Sequence, residues 1–348
     1  MTVTIRPRIT GGVDTHLDCH VAAALDERGA LLGVESFETT SVGYRHLIGW
    51  LRSFGDVEIV GVEGTGSYGA GLCRSLHRAQ VAVVEVDRPN RQRRRRRGKS
   101  DPQDAISAAR AAQSGDACGL AKTRDGNVET MRVLRIARSS ARRSRTQALN
   151  QMRSIICTAP DDIRDELRHL RVPQLLAKAS AFRPRDRHSV AGATRFTLRM
   201  LARRAIALED EVQQIDAILT DLVADTAPKL VARSGLGTDT TSALLVAAGD
   251  NPDRLRNEAS FAHLCGVAPI DASSGKHQRH RLNRGGDRQA NSALWTIVIT
   301  RMAADQTTRD YINRRIDDGH TKKEAIRCLK RHIAREVYRY LPTPEPAP

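Results

Sequence analysis

The amino-acid sequence predicts an α/β domain at the N-terminal end and mainly α-helical segments after it. Three features lead to this fold class. Short runs of β-favouring residues, separated by turn residues, fill the first 37 positions, and strand and helix patterns then alternate to about residue 115. Beyond residue 130, long stretches have the three- and four-residue apolar spacing of helices. Strands that alternate with helices indicate a sheet with parallel strands and crossover helices.

The N-terminal elements are predicted in the order β-β-β-α-β-α-β-α. Two strands, through Asp14 and Val21, precede a turn at residues 26–29 and a third strand at 31–37. The remaining elements are a helix with Leu47, Ile48 and Leu51 on its apolar face, a strand ending at Glu63, a helix through Leu72 and Leu76, a strand at 81–86 and a helix at 101–115. This order indicates a hairpin sheet that parallel strands extend.

The same order fits a ribonuclease-H-like fold, in which metal-binding acids come from the first strand, the end of the fourth strand and a later helix. Asp14, Glu63, Asp101 and Asp104 occupy those positions. Four carboxylates from three elements could hold two Mg²⁺ ions for phosphodiester chemistry. Sugar kinases and actin-like ATPases share the start of this order, but they need phosphate-binding glycines after the first strand, and residues 14–18 contain none.

A block of cations precedes the last of these helices. Six of the seven residues from Arg91 to Arg97 are arginine, and Ser100 and Pro102 are typical of a helix start. The helix places Asp101 and Asp104 on one face, beside the cations, as expected for a polyanion held next to a divalent metal. The alternative is a solvated loop before a helix whose first-turn acids complement the helix dipole. The residues of this block predicted to bind nucleic acid are Arg93, Arg94, Arg95, Arg96, Arg97 and Lys99.

The composition indicates a partner that carries phosphate. The net charge is +16, and 48 of the 56 basic residues are arginine, which suits forked phosphate contacts. Aromatic residues make up only 3%, which argues against recognition built on stacking of single-stranded bases. The six cysteines show no C-x-x-C spacing, so neither a disulfide framework nor a zinc site is expected. With no signal peptide and no membrane-spanning run, we expect a cytoplasmic, nucleoid-associated protein.

Two long helical patterns form the middle of the chain. Residues 131–153 contain no acid and carry an arginine stripe at helical spacing, formed by Arg135, Arg138, Arg142 and Arg145. A stripe of one sign favours nucleic-acid binding, and the alternative is a solvated face. From Leu198 to Leu222, apolar residues recur at alternating three- and four-residue steps, which indicates a coiled coil. This helical arm is expected to pair within the chain or with a partner subunit.

A second informative stretch runs from Gly266 to Asn291. A Ser-Ser-Gly loop at 273–275 is followed by the cations Lys276, Arg279, Arg281, Arg284 and Arg288 and by two histidines. A serine on such a loop could attack a phosphodiester, with arginines that stabilise the alkoxide and the phosphate. The alternative is an ordinary surface loop.

With both stretches in view, the chain resembles the DEDD-type insertion-sequence transposases, which are serine recombinases guided by a bridge RNA. The resemblance covers nearly the whole chain. It rests on four motifs in this order: G-V-D-T-H-L-D at 12–18, E-G-T-G-S-Y at 63–68, R-G-K-S-D-P-Q-D-A at 97–105, and G-V-A-P-x-x-A-S-S-G followed by R-H-R-L-N-R-G-G-D-R at 266–288.

The resemblance implies a role for each motif. Asp14, Glu63, Asp101 and Asp104 would be the metal-binding acids of a RuvC-like domain, holding Mg²⁺ as two ions. Ser274 would be the catalytic serine, with Ser273 as the adjacent alternative. The family cuts DNA through a covalent phosphoserine link, and its active site is composed from two subunits joined through the helical arm. The expected partners are therefore DNA, a bridge RNA and further copies of the chain in a dimer or tetramer.

The predicted domains follow from the same resemblance. They are a RuvC-like DEDD metal-binding domain at 1–118, a basic helical and coiled-coil connector at 119–228, a mainly α-helical transposase domain with the catalytic serine at 229–341, and a disordered tail at 342–348. Two other functions compete with a transposase. A metal nuclease of the Holliday-junction-resolvase type would need only the acids, and a non-catalytic nucleic-acid-binding protein would need neither the acids nor the serine.

Overall fold

The computed structural model describes residues 6–86, 100–117, 119–184, 186–274 and 280–342. These residues fall into two compact units. The first unit reaches Val128 and includes Ala248–Phe261, and the second comprises Glu129–Ala247 and Ala262–Leu341. The first unit is mixed α/β and the second is mostly helical, which agrees with the predicted fold class. The finer division at residues 118 and 228 stays a prediction.

The described part of the first unit contains a six-stranded sheet with the strand order β3-β2-β1-β4-β5-β6. The strands are β1 (Arg8–Thr15), β2 (Cys19–Leu25), β3 (Leu31–Glu38), β4 (Asp56–Glu63), β5 (Ala82–Val86) and β6 (Gly119–Leu120). The first three are antiparallel neighbours, β4 pairs parallel with both β1 and β5, and β6 adds an antiparallel edge. The helices are α1 (Ser41–Phe54), α2 (Ala70–Arg78) and α3 (Asp101–Gln113). The predicted element order is therefore confirmed as far as α3, and β6 is an addition.

The two faces of this sheet pack against different helices. Because side chains alternate along a strand, Val13 of β1 joins the larger core with Leu47 of α1 and Leu72 of α2. Val21 and Ala23 of β2 point to the opposite face, where they pack against Ala105 of α3.

Helix α3 rests on the backbone of the central strands. A Cβ atom at Gly12 of β1 would lie 2.1 Å from the Ala109 nitrogen and 2.3 Å from the Ala105 oxygen. A Cβ atom at Gly61 of β4 would lie 2.5 Å from the Ala108 oxygen. Since Gly12 and Gly61 are register partners, they lie side by side, and the backbone of α3 occupies the space that their side chains would need. We call this pair of glycines the glycine seat.

The second unit is built mainly from helices. They are α4 (Asn127–Cys157, which begins in the first unit), α5 (Asp161–Leu167), α6 (Val172–Ser180), α7 (Val190–Thr226), α8 (Pro228–Val231), α9 (Thr238–Ala248, whose last residue belongs to the first unit), α10 (Glu258–Leu264, which begins in the first unit), α11 (Arg288–Ala304), α12 (Gln306–Asp317) and α13 (Lys322–Arg339). A short antiparallel pair, β7 (Ile270–Asp271) and β8 (His280–Arg281), lies before α11.

Helix α7 is the predicted helical arm, and it pairs within the chain. Leu149 and Met152 of α4 share one hydrophobic core with Leu198 and Ala205 of α7. The predicted seam is the buried side of α7, since Leu198, Ala205, Val212, Ile215 and Leu219 are all buried. This outcome is the within-chain alternative, and pairing of the arm with a second copy stays a prediction.

Among the described residues, none of the helices combines the length and apolar character needed to cross a membrane. Helices α4 and α7 are long enough, but charged side chains occur along both of them.

The glycine seat under α3 generates a stability prediction. We expect Gly12→Ala to lower the free energy of unfolding by about 1–3 kcal/mol or more, because the new methyl group has to displace helix backbone. Gly49→Ala is the matched control, since its Cβ would meet nothing within 4 Å on α1. That control should raise stability by about 0.5–1 kcal/mol through helix propensity. Chemical denaturation measures both changes, and equal stabilities for the two variants would mean that α3 does not rest on this seat.

Candidate metal centre and serine loop

The acids predicted from the sequence lie on two neighbouring strands and one helix. Asp14 is the penultimate residue of β1, and Glu63 is the last residue of β4. Each acid follows the glycine of the α3 seat by two residues, so strand alternation places both acids on the face that carries α3. Asp101 and Asp104 lie in the first turn of α3, whose N-cap residue is Ser100. The helix start predicted at this position is confirmed.

Three of the side chains in this region form a compact group. The Asp14 carboxylate, the His16 imidazole and the Asp101 carboxylate each offer a ligand atom, and these atoms lie within 4.8 Å of one another. The Nε2 atom of His16 is 3.1 Å from Oδ2 of Asp14 and 3.4 Å from Oδ1 of Asp101. This group therefore joins the end of β1 to the start of α3.

The electrostatic environment of Asp14 reflects this clustering. Its side chain is only 9% exposed. Burial raises the pKa of Asp14, and the nearby carboxylates of Asp104 and Asp101 raise it further, while His16 lowers it. A buried carboxylate beside two others resists ionisation until a cation compensates the charge. The donor set of carboxylate oxygens and one imidazole nitrogen consequently fits a divalent metal ion.

Among the described residues, Glu63 is not a member of this compact group. The hydroxyl of Thr15 donates to the Glu63 carbonyl oxygen at 2.7 Å and so ties the ends of β1 and β4 together. Gly64 follows with φ of 74°, a conformation that favours glycine, and it turns the chain directly after the acid. Glu63 and Asp104 therefore lie at the same end of the sheet as the compact group, and their role as metal ligands stays a prediction.

The segment between Leu264 and Asp287, which we call the serine loop, lies in the second unit. Contacts between the two ends of this segment form its base. The Asp287 amide donates to the Leu264 carbonyl at 2.7 Å, and the Asn283 side chain donates to the His263 carbonyl at 2.9 Å. A Cβ atom at Gly286 would lie 2.2 Å from the Gly266 nitrogen, so the two backbones are in direct contact there. The residues between these contacts include the β7–β8 pair and both serines.

The buried Lys330 stabilises the same end of the serine loop through Asn291. The Lys330 ammonium, 6% exposed, donates to the Asn291 side-chain oxygen at 2.6 Å. The Asn291 amide in turn donates to the carbonyl oxygens of Cys265 and Gly266 at 2.9 and 3.2 Å. Burial lowers the pKa of Lys330. This chain of hydrogen bonds fixes the point at which the loop leaves the helical core.

The two serines differ in their contacts. The Ser273 hydroxyl donates to the Asp271 carboxylate, and the Ser273 amide donates to the same oxygen at 2.9 Å. Ser274 is exposed, and within the described part of the chain no hydrogen bond to its hydroxyl is present. Ser273 is thus held in a local turn, whereas Ser274 is exposed and has no such contact among the described residues.

Comparison with known proteins bears on both sites. Residues 11–158 match the DEDD transposase model of IS110, described as "Transposase". Residues 229–313 match a model described as "Transposase IS116/IS110/IS902 family". The two matches are in the same order as in the resemblance and together span about two thirds of the chain.

The chain belongs to the IS110 family of transposases.

This IS110-family chain is also similar to the "Insertion element IS110 uncharacterized 43.6 kDa protein" of Streptomyces coelicolor, with 31% identity over 135 residues. That alignment covers 38% of the chain and 33% of the relative, so the chain spans about a third of that relative's length. The resemblance to DEDD-type insertion-sequence transposases is confirmed, while the serine nucleophile, Mg²⁺ and the bridge RNA stay predictions. The first family match contains all four acids, and the second contains Ser274.

The arginine stripe of the IS110-family chain is largely engaged by its own acids. Arg135 donates to Asp239 at 2.9 Å, and Arg138 donates to Asp239 at 2.9 Å and also pairs with Asp216. Arg145 pairs with Glu209 of α7. The stripe is therefore not the freely solvated, unpaired cation row that the local sequence suggests, because its counter-ions come from α7 and α9.

The outer part of the stripe borders a groove of about 550 Å³ in the second unit. Arg142 and Arg143 of α4 are exposed on its wall, and among the described residues neither is paired with an acid. Ser292 and Thr296 of α11 also line this groove. A groove lined by two guanidinium groups and by hydroxyl-bearing residues is a surface suited to phosphate oxygens.

Several residues predicted to bind nucleic acid lie outside the described residues. They are Arg93, Arg94, Arg95, Arg96, Arg97, Lys99, Lys276 and Arg279, and most of the predicted tail at 342–348 also lies there. Arg281 of β8 and Arg284 are described, and both are exposed on the serine loop. Their role in binding stays a prediction.

Two residues of these sites were not singled out from the sequence. His16 lies two positions after Asp14, and the alternation of the strand was the one signal that pointed to it. Lys330 had no local signal, because a lysine in an arginine-rich helix gives no indication of burial.

Proposed function

We propose that this chain is a DNA transposase that cuts and rejoins strands through Ser274, with divalent metal held by its acids and with an RNA as guide. The observation that carries this proposal is the pairing of two features within the two family matches. One is the compact group of Asp14, His16 and Asp101, and the other is an exposed Ser274 on a loop that is closed at its base. An order of β3-β2-β1-β4-β5 with crossover helices supports a ribonuclease-H-like first domain.

The acids would hold Mg²⁺. Asp14 and Asp101 face each other across the compact group, while Asp104 and Glu63 lie at the same end of the sheet. Bound magnesium would stabilise negative charge on the phosphate and on the attacking and leaving oxygens. The raised pKa of Asp14 supports this role. Burial and the neighbouring carboxylates destabilise the ionised form of Asp14, and a bound cation would stabilise that form.

Ser274 would be the nucleophile. Its Oγ atom forms a bond to phosphorus, the bond from phosphorus to one sugar oxygen breaks, and the serine proton passes overall to that departing oxygen. A hydroxyl group of another strand then attacks the phosphoserine, forms the new phosphodiester and returns a proton to Ser274. Arg281 and Arg284, both exposed on the serine loop, would balance the charge of the crowded phosphate.

The nucleic-acid partners follow from the charge and the family. A net charge of +16 favours DNA and RNA as ligands. We assign Arg142 of the stripe and its neighbour Arg143 to a phosphate backbone, because acids of the same chain engage the other three arginines of the stripe. We further propose a dimer or tetramer in which the acids of one subunit serve the serine of another, with the arm formed by α7 contributing to the assembly.

The nucleophile can be tested on a denaturing gel with labelled DNA. We expect Ser274→Ala to abolish both the covalent adduct between protein and DNA and the recombinant product, because no hydroxyl remains to replace the phosphodiester bond. Ser273→Ala is the matched control. It should retain the adduct, since the hydroxyl it removes is bound to Asp271.

Two results would contradict this assignment. An adduct that persists in Ser274→Ala and disappears in Ser273→Ala would move the role to Ser273. Strand cleavage that stays intact in both variants, without any adduct, would leave a metal nuclease of the resolvase type, for which the acids alone suffice.

The arginine groove generates a second prediction. Arg142→Gln combined with Arg143→Gln should weaken nucleic-acid binding and reduce the magnitude of the slope of log K against log salt by about 1–2, because each lost phosphate contact removes about 0.9. The melting temperature should stay unchanged, since both side chains are exposed. Arg138→Gln should instead lower the melting temperature, because it leaves Asp216 and Asp239 without this partner.

The control for net charge is the double variant Arg203→Gln with Arg204→Gln, two exposed positions on α7. Salt-titrated binding assays compare the two doubles. An equal decrease in affinity and in salt dependence for both double variants would indicate a general effect of net charge. An unchanged slope for the Arg142 and Arg143 variant would mean that the groove is a solvated surface that does not bind phosphate.

A further inference from the structure

We propose that His16 is itself a metal ligand of the acid centre, and that its imidazole nitrogen shifts the centre towards Mn²⁺ relative to a site made of carboxylates alone. This inference rests on the proposed function, in which Asp14 and Asp101 hold a divalent ion.

The position of the His16 ring carries the inference. Its Nε2 atom faces Oδ2 of Asp14 at 3.1 Å and Oδ1 of Asp101 at 3.4 Å. A single ring nitrogen has one hydrogen or one lone pair, so it cannot direct a good hydrogen bond at both oxygens. Three possible donor atoms therefore converge from β1, from the residue after it and from α3, as the ligands of one metal ion would.

The spacing of these atoms agrees with a coordination polyhedron. Ligand atoms about 2.1 Å from an octahedral ion are about 3 Å apart at neighbouring positions. The two measured separations from Nε2 approach this edge length, and the whole group lies within 4.8 Å. Small side-chain adjustments would therefore bring all three donors to one ion.

The backbone of His16 is held in place by the neighbouring hairpin. Its amide donates to Nδ1 of His20 at 3.4 Å, and the Thr39 hydroxyl donates to its carbonyl oxygen at 3.4 Å. His20 is fully buried and stacks on Tyr44 with 5.7 Å between ring centroids. The His16 ring itself is 36% exposed, so an ion can reach it from solvent while the backbone stays fixed.

The chemistry of the donor set determines which metal benefits. Magnesium prefers oxygen ligands, whereas imidazole nitrogen suits transition metals, and manganese accepts both kinds. Loss of the His16 nitrogen should therefore cost Mn²⁺ more binding than it costs Mg²⁺.

The test uses the full chain and the metal ions alone. Free Mn²⁺ is measured by electron paramagnetic resonance during titration, and Mg²⁺ affinity is measured by competition. We expect His16→Asn to weaken Mn²⁺ binding by about tenfold or more, since even loss of an outer partner of a ligand has effects of that size. Mg²⁺ affinity should fall less, because the asparagine oxygen is a suitable ligand for it. His46→Asn, at an exposed position of α1, is the control and should bind both ions as the unchanged chain does.

A spectroscopic readout separates a ligand from a merely structural residue. Pulsed electron paramagnetic resonance detects nitrogen bound directly to Mn²⁺. The nitrogen signal should be present in the unchanged chain and in His46→Asn, and absent in His16→Asn. Absence from the unchanged chain, or persistence in His16→Asn, would overturn the proposal.

Asp14→Asn distinguishes failure of this inference from failure of the proposed metal centre. If Asp14→Asn binds Mn²⁺ as tightly as the unchanged chain, the metal centre itself is wrong. If Asp14→Asn loses Mn²⁺ while His16→Asn binds both ions normally, the centre stands and His16 is not a ligand.

Discussion

The contact of α3 with the paired glycines of β1 and β4 is the constraint on which the acid centre depends. Gly12 and Gly61 are register partners, and each has helix backbone within 2.5 Å of where a Cβ atom would stand. Two residues further along each strand, Asp14 and Glu63 emerge on the same face, at the end where α3 begins with its two acids. The absence of side chains at two positions thus determines how closely the start of α3 approaches Asp14. Asp14 is buried beside the carboxylates of Asp101 and Asp104, which raise its pKa, and the packing of α3 holds these repelling groups together.

Much of this arrangement could be predicted from the sequence, because it depends on patterns among residues that are close together in the chain. The alternating strands located Asp14 and Glu63, and Ser100 with Pro102 located the start of α3. Long-range contacts could not be predicted in the same way. Arg138 lies 78 residues from Asp216 and 101 from Asp239, so the stripe looked unpaired until the fold brought its counter-ions to it. His16 was missed for a related reason, since its second partner, Asp101, lies on a different element.

Prolines between α4 and α7 begin helices rather than interrupt them. Residues 160–184 contain three prolines, but the segment folds into α5 and α6. Pro160 is the N-cap residue of α5 and Pro173 lies in the first turn of α6. At such positions the missing amide hydrogen costs nothing and the fixed φ angle favours the helix. Likewise, the apolar repeat of α7 predicted a buried stripe correctly, but a repeat does not specify whether the partner is α4 of the same chain or a second copy.

The central claim is that the acids of the first unit and the serine of the second unit serve one reaction on one phosphodiester. The measurement that tests it most directly is the yield of protein covalently linked to DNA, compared between the unchanged chain and Asp14→Asn in the presence of magnesium. If metal held by the acids assists serine attack, Asp14→Asn should form no adduct although Ser274 is intact. A full yield of adduct from Asp14→Asn would contradict the account, because the serine would then react without the acid centre.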